Sequence, residues 1–295
     1  MPPPSPTTDK ADGGAVEAAA AAGDPRPRPR ITVGLMVVPV YGDYARMRAA
    51  WIEADAMGVD RLYTSDHFFP SVLKDDATRE ELYGKNFEAL TIQAAMAATT
   101  QQAEISCLVT SNAYRNPNLL ADMGRTIDHI SAGRFVLGIG TGYYRLDFDE
   151  YGYEFGTAAG RLRDLERSLP IIRARWERLN PLPLHRIPIL IGGGGERITL
   201  RLVAEHADEW HFFGSPEEMA HKASVLGRWC EQVGRNPAEI RRTASVGSVD
   251  PSYIPYREPD PYLELGVTHF IAPAVGPDWD LSELAKLLAW RERQL

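Results

Sequence analysis

The chain has 295 residues, 44% of them apolar, with 32 basic and 40 acidic side chains and a net charge of −8. That is ample for one large core in a single domain, and the acidic balance argues against binding nucleic acid or an anionic membrane. The two cysteines, Cys107 and Cys230, lie far apart and outside any CxxC spacing. They exclude a disulfide framework and fit a reducing cytoplasm.

Residues 1–29 are rich in Pro, Ala and Gly and end in alternating Arg and Pro (Arg26-Pro27-Arg28-Pro29-Arg30). The apolar run Val16 to Ala22 is short, is interrupted by Glu17, and precedes its basic residues, the reverse of a secretory signal. No stretch approaches a membrane span. The segment reads as a disordered tail, with one domain over 30–295.

From Ile31 onward, short apolar runs alternate with amphipathic segments. Ile31–Val38 reads as a buried strand and Tyr44–Met57 as a helix closed by Gly58. Asp60–Thr64 is a second strand, Glu88–Thr99 a helix, and Ile105–Thr110 a third strand. Asn116 can cap the next helix, with Pro117 at its first position and Gly133 past its end. Arg134–Ile139 is strand four. Leu162, Leu165, Leu169, Ile172 and Trp176 then mark an amphipathic helix, which Pro170 should kink. Ile187–Ile191, Asp208–Phe213, Ile240–Val246 and Val267–Ala272 read as strands five to eight, with helices at Glu196–Glu205, Pro216–Val233 and Leu281–Trp290. Eight strand–helix units suit an α/β (β/α)8 TIM barrel, whose chemistry sits at the C-terminal ends of its strands. A doubly wound sheet would need a glycine turn after the first strand, and Val38-Pro39-Val40-Tyr41-Gly42 is a poor one.

Three groups could carry chemistry. Ser65-Asp66-His67-Phe68-Phe69-Pro70 places a histidine beside an aspartate at the end of strand two, able to donate to a ring or shuttle a proton. Gly138, Gly140 and Gly142 leave room for a planar ring against the backbone or for ordinary packing. Gly192-Gly193-Gly194-Gly195-Glu196 follows a strand and opens a helix, an arrangement whose backbone N–H groups suit an anion. No Lys-Ser/Thr pair follows, so it is not a nucleotide P-loop. His206, Asp208 and His211 straddle a helix end and a strand; residues so placed in barrels usually satisfy local backbone, and no metal is expected. Tyr143 and Tyr144 could face a substrate or pack in a loop.

Taken together, Asp66-His67-Phe68, Tyr114-Arg115-Asn116-Pro117, Ser131-Ala132-Gly133-Arg134, Leu137 to Gly142 and Leu190 to Glu196 resemble the luciferase-like flavin and deazaflavin oxidoreductases, in their order and spacing. The subset using the deazaflavin coenzyme F420 matches best. The resemblance implies hydride transfer between that coenzyme and an organic substrate, with His67 against the ring as first proton donor, Tyr143 and Tyr114 next, and Asp66 orienting His67 or bonding the ring. It further implies that Cys107–Leu108 forms a non-prolyl cis bulge behind the ring. Asn112 and Gly142 would contact the coenzyme, and Gly193, Gly194, Gly195 and Glu196 would hold its phosphate. An FMN-dependent monooxygenase and a non-catalytic ligand-binding barrel are the alternatives. A homodimer is a family-level expectation.

The deazaflavin-dependent sugar-phosphate dehydrogenases carry a tryptophan and a glutamate where this chain has Ser71 and Tyr143, which argues against sugar phosphates. A strand and loop found in relatives is missing between Trp176 and Asn180-Pro181. Its loss should leave one side of the pocket open to a larger substrate. A peptide-like or polycyclic secondary metabolite with a reducible C=C or C=N bond would fit, against the aromatic surface of Tyr143, Tyr144 and Phe148.

Overall fold

The strand runs are too apolar to face water on either side, so they bury one face in a barrel interior and the other under helices. The computed structural model describes residues 31–40, 42–70, 86–248 and 257–294. The tail over 1–29 and Ser71 lie outside these residues. In chain order the elements are β1 (Thr32–Val38), α1 (Tyr44–Ala56), β2 (Arg61–Thr64), α2 (Ala89–Thr99), β3 (Glu104–Cys107), β4 (Thr110–Ser111), α3 (Pro117–Ile130), β5 (Leu137–Gly140) and α4 (Arg145–Tyr151). There follow α5 (Ala158–Trp176), β6 (Ile189–Gly192), α6 (Thr199–His206), β7 (Glu209–His211), α7 (Pro216–Val233), β8 (Arg241–Ser245), α8 (Asp260–Glu264), β9 (Val267–Val275) and α9 (Ser282–Glu292).

The sheet order is β3-β2-β1-β9-β8-β7-β6-β5-β4, and every pairing is parallel. The ends meet. Ile105 N–H donates to the Arg134 carbonyl (2.8 Å) and Val136 N–H to the Ile105 carbonyl (2.9 Å), bridging β3 to the approach of β5. Segments β3 and β4 are thus two halves of one strand, and the ring is an eight-stranded (β/α)8 barrel. The break between the halves holds a cis peptide at Leu108–Val109, one residue beyond the expected Cys107–Leu108 bond.

That break explains the glycines of the neighbouring strands. A Cβ on Gly138 would fall on the Cys107 carbonyl, and one on Gly140 would lie 2.7 Å from a Val109 methyl. Gly192 meets Val109 at 3.0 Å in the same way. Gly138 and Gly140 therefore make room for the bulge rather than for a ring. The Ser131–Arg134 junction is likewise structural. Ala132 and Gly133 turn the chain at positive φ, and the buried Arg134 guanidinium donates to the carbonyls of Ala97, Thr100 and Ala103 at the end of α2.

The N-terminal end of the barrel interior is charged. Arg61 donates to Glu209 through two bonds (2.6 and 2.8 Å) and to Glu104, and its side chain is fully buried. Burial opposes ionisation of Glu209, but Arg61 overrides it and holds the carboxyl well below the usual range. Arg61 also donates to Tyr63 Oη (3.0 Å), which donates onward to His269 Nε2 (3.0 Å). His269 Nδ1 meets Thr32 Oγ1 at 2.7 Å, and that hydroxyl donates to the Thr268 carbonyl. Leu108, Val136, Leu190 and Ile271 form an apolar layer with Tyr63, against which Met36 and Val109 pack.

Helix α5 runs unbroken through Pro170. The chain beyond Trp176 lies beside the end of α3, where Arg125 donates to the Pro181 carbonyl (2.8 Å) and His129 Nε2 meets that of Leu182 (2.8 Å). Helices of a (β/α)8 barrel return antiparallel to the strands, so this is the face opposite the strand C-termini. The shortened segment therefore lies at the end of the barrel opposite the strand C-termini. No helix among the described residues is long and apolar enough to cross a membrane.

Candidate active site

The C-terminal rim gathers around a residue the motifs did not single out. Asp147, on the short helix α4, has no exposed side-chain surface. Its Oδ2 accepts from His67 Nδ1 (2.7 Å) and from the Tyr114 hydroxyl (2.8 Å). Its Oδ1 accepts from the backbone N–H groups of Phe68 (2.9 Å) and Phe69 (3.2 Å). The loop after β2 is thereby closed over one carboxylate, with Asn86 Nδ2 donating to the His67 carbonyl from the other side.

His67 has 15% of its side chain exposed, and its Nε2 has no hydrogen-bond partner among the described residues. Tyr143 and Tyr144 stand edge-on to its ring, with centroids at 5.5 and 5.4 Å. A carboxylate can only accept, so the Nδ1 proton faces Asp147 and neutral His67 offers a lone pair at Nε2. The arrangement can take up or return one proton at the rim.

Several expected roles change. Asp66 does not orient His67. Its carboxylate takes a fork from Arg115 (2.6 and 2.9 Å) and the Ser111 N–H (2.9 Å), and Arg115 also grips Glu88. This ties the end of β2 to the turn after β4. Tyr114 is buried, its one hydroxyl proton is committed to Asp147, and burial together with that anion pushes it above the phenol range. In this arrangement its proton goes to Asp147 rather than to a substrate. Tyr143 is 67% exposed on the rim beside His67, where a substrate can reach it.

Cys107 is fully buried, and burial raises its thiol well above the ordinary range. Leu108 belongs to the apolar layer of the barrel interior. Asn112 and Ser111 are buried, and Asn112 Oδ1 has no hydrogen-bond partner among the described residues. Gly142 has φ +73° and packs on Ser111, and its carbonyl accepts from Arg161 Nε (3.1 Å).

The glycine loop is only partly available to an anion. Gly193 N–H donates to the His211 carbonyl (2.9 Å), and the Gly193 carbonyl accepts from Trp210 (2.8 Å). A Cβ on Gly194 would strike the Phe212 ring. The Glu196 carboxylate faces Lys222 (2.6 Å) and His221 (2.9 Å), which lower its pKa, so only its backbone could meet an anion. Lys222 and His221 lie on α7, too far along the chain for the glycine motif to announce them.

The set His206, Asp208 and His211 disperses. His206 pairs with Glu205, Asp208 accepts from Ile189 N–H and pairs with Arg186, and His211 is buried against Thr243. No three metal-binding side chains converge among the described residues.

Residues 36–249 match the family model described as luciferase-like monooxygenase. A curated relative, the pyrimidine monooxygenase RutA of Methylobacterium radiotolerans, is 27% identical over 216 residues, covering 62% of this chain and 54% of that one. The chain thus spans about half the length of the curated relatives it matches. Among solved structures, an F420-dependent secondary alcohol dehydrogenase in complex with an F420-acetone adduct superposes with a TM-score of 0.73 at 17% identity, covering 86% of this chain and 96% of that one. A riboflavin lyase with modified FMN and riboflavin superposes at 0.67 with 13% identity, covering 90% and 92%. These likenesses are of fold.

Proposed function

The chain belongs to the luciferase-like monooxygenase family of oxidoreductases, and within it we propose a deazaflavin (F420)-dependent enzyme that moves a hydride to or from an organic substrate. The carrying observation is His67, held through Nδ1 by the buried Asp147 (2.7 Å) while its Nε2 has no hydrogen-bond partner among the described residues. A hydride arriving at or leaving carbon is matched by a proton on the neighbouring oxygen or nitrogen, and His67 is the group placed to supply or accept it.

The residues present fit such a coenzyme. Asn112 Oδ1 is a buried acceptor without a partner among the described residues, and the apolar layer around Leu108 and Ile271 suits a flat ring. Asn112 and the backbone around Leu108–Val109 would hold the ring. The N–H groups of Gly194, Gly195 and Glu196, with Lys222, would hold its phosphate. When bound, the deazaflavin supplies the hydride-exchanging carbon. The protein's own work is to seat substrate against Tyr143 and Tyr144, exclude water through the aromatic loop, and hold one proton on His67. The exposed aromatic rim favours a substrate with a flat apolar body.

The likeness to the pyrimidine monooxygenase RutA, together with the likeness in fold to a riboflavin lyase solved with modified FMN, favours a second reading, an FMN-dependent monooxygenase on the same scaffold. Titrating the purified protein with F420 and with FMN, and measuring oxygen uptake with reduced FMN, separates the two. Tight F420 binding without oxygen uptake supports the first reading; FMN binding with oxygen uptake replaces it.

A further inference from the structure

We propose that Asp147 is the positioning residue of the site, fixing both the seat and the tautomer of His67. The proposal rests on His67 being the proton-handling group proposed above, but it concerns the apoprotein and can be tested there.

The geometry allows little else. Asp147 is fully buried, and each of its four contacts comes from a donor. Two of those donors, the backbone N–H groups of Phe68 and Phe69, cannot be reversed. The other two can: a hydroxyl rotates, and an imidazole can shift its proton from Nδ1 to Nε2. The carboxylate is therefore anchored through Oδ1 by main chain and turns Oδ2 toward the two adaptable side chains. Acceptor-only chemistry at Oδ2 forces the proton of neutral His67 onto Nδ1 and leaves the lone pair on Nε2. Tyr114 takes the remaining site on Oδ2 and, packed at 4.8 Å against Phe68, keeps the carboxylate from rotating away.

The same asymmetry predicts what an amide does in its place. In Asp147→Asn the backbone N–H groups of Phe68 and Phe69 would claim the amide oxygen. The amide NH2 would then face His67 and Tyr114 as a donor, so Nδ1 must accept and the proton moves to Nε2. The two tautomers are distinct in long-range nitrogen–proton NMR spectra of the imidazole, recorded well above its ordinary titration range.

The test compares the wild-type apoprotein with Asp147→Asn and Asp147→Ala. The expected result is an Nδ1–H imidazole in the wild type, an Nε2–H imidazole in Asp147→Asn, and mixed tautomers in Asp147→Ala. Thermal unfolding should show Asp147→Asn still folded. In the loaded enzyme, Asp147→Asn should lose tenfold or more in kcat with KM changed less than threefold. An unchanged Nδ1–H tautomer in a folded Asp147→Asn would overturn the proposal. So would a wild-type imidazole protonated at Nε2. If the tautomers behave as stated and no F420 activity is found, the function proposed above fails while the role of Asp147 stands.

Discussion

Arg61 and Glu209 meet inside the barrel through two N–H···O bonds of 2.6 and 2.8 Å, and neither side chain has any exposure to solvent. Such a pair is not a large net gain, because both charges left water to make it. Removing one partner is a different matter. Glu209→Ala would strand a buried guanidinium whose one remaining carboxylate partner among the described residues is the partly exposed Glu104, and should cost about 3–5 kcal/mol. Chemical denaturation of the variant measures this, and a loss below about 1 kcal/mol would show the pair to be expendable.

The same interior makes the fold acid-sensitive. Burial, then Arg257, depresses His211 to about 3 from 6.5, and burial with Arg61 and Arg241 holds His269 well below its ordinary value. Between these limits the unfolded chain binds protons that the folded chain refuses. Stability is therefore full above about pH 6.5 and falls as pH drops, by up to about 1.4 kcal/mol per pH unit for each histidine. Glu209, depressed rather than raised, adds its own loss below its ordinary value of 4.5. Melting temperature should be level from pH 7.5 to about 6.5 and slope downward from there to pH 4.5, and His211→Gln should flatten the slope. A level profile would contradict the assignment.

His67→Ala should lower turnover by about 10²–10⁴-fold, the usual contribution of a positioned proton donor. The remaining donors to Asp147 keep its carboxylate satisfied, so thermal stability should change little. Turnover within threefold of wild type would assign His67 to loop structure alone.

The barrel was legible because its signals are local. The Asn116-Pro117 start of α3 was visible as capping chemistry, and the expected starts of α3 and α7, Pro117 and Pro216, are where both helices begin. The short helices α4 and α8 were missed, since seven and five residues show no clear period. Asp147 was missed with α4. Nothing in its neighbours marks it, and its partners His67 and Tyr114 lie 80 and 33 positions away. Asp66 looked like the partner of His67 because it is adjacent in sequence. At a strand end, adjacent side chains point apart, and Arg115 claims Asp66 instead. The glycines of β5 were left open between room for a ring and room for packing, because the bulge that needs them belongs to the neighbouring strand.

The glycine loop needs a two-step test for the same reason. Gly194→Val would drive a side chain into Phe212, so lost coenzyme affinity in that variant could reflect displaced packing. Phe212→Ala removes the obstacle. In the double variant the loop should relax and melting temperature recover, while F420 affinity should stay at least tenfold down if the Gly194 backbone meets the phosphate. Recovery of affinity together with stability would remove this loop from the binding site. Neighbouring substitutions couple, so only the complete cycle separates the effects.

The last prediction concerns substrate size, which rests on the rim itself. Tyr143, Tyr151 and Phe213 are 67%, 55% and 61% exposed, and an apolar surface left to water on a barrel rim marks a binding face. Phe68 stacks on Tyr151 with centroids 3.9 Å apart, and Tyr151 in turn lies parallel to Tyr153, giving the loop a firm aromatic wall. Tyr143 stands beside His67, so a flat substrate reaching Nε2 must pass over it. An aromatic contact is worth about 0.5–1.5 kcal/mol beyond buried area. Tyr143→Ala should therefore raise KM for a polycyclic ketone or imine by roughly 2- to 12-fold, with kcat nearly unchanged. KM for an acetone-sized substrate should not move, since so small a body does not reach across the ring. Equal effects on both substrates would show that Tyr143 shapes the His67 loop rather than the substrate surface, and would withdraw the preference for a large flat substrate.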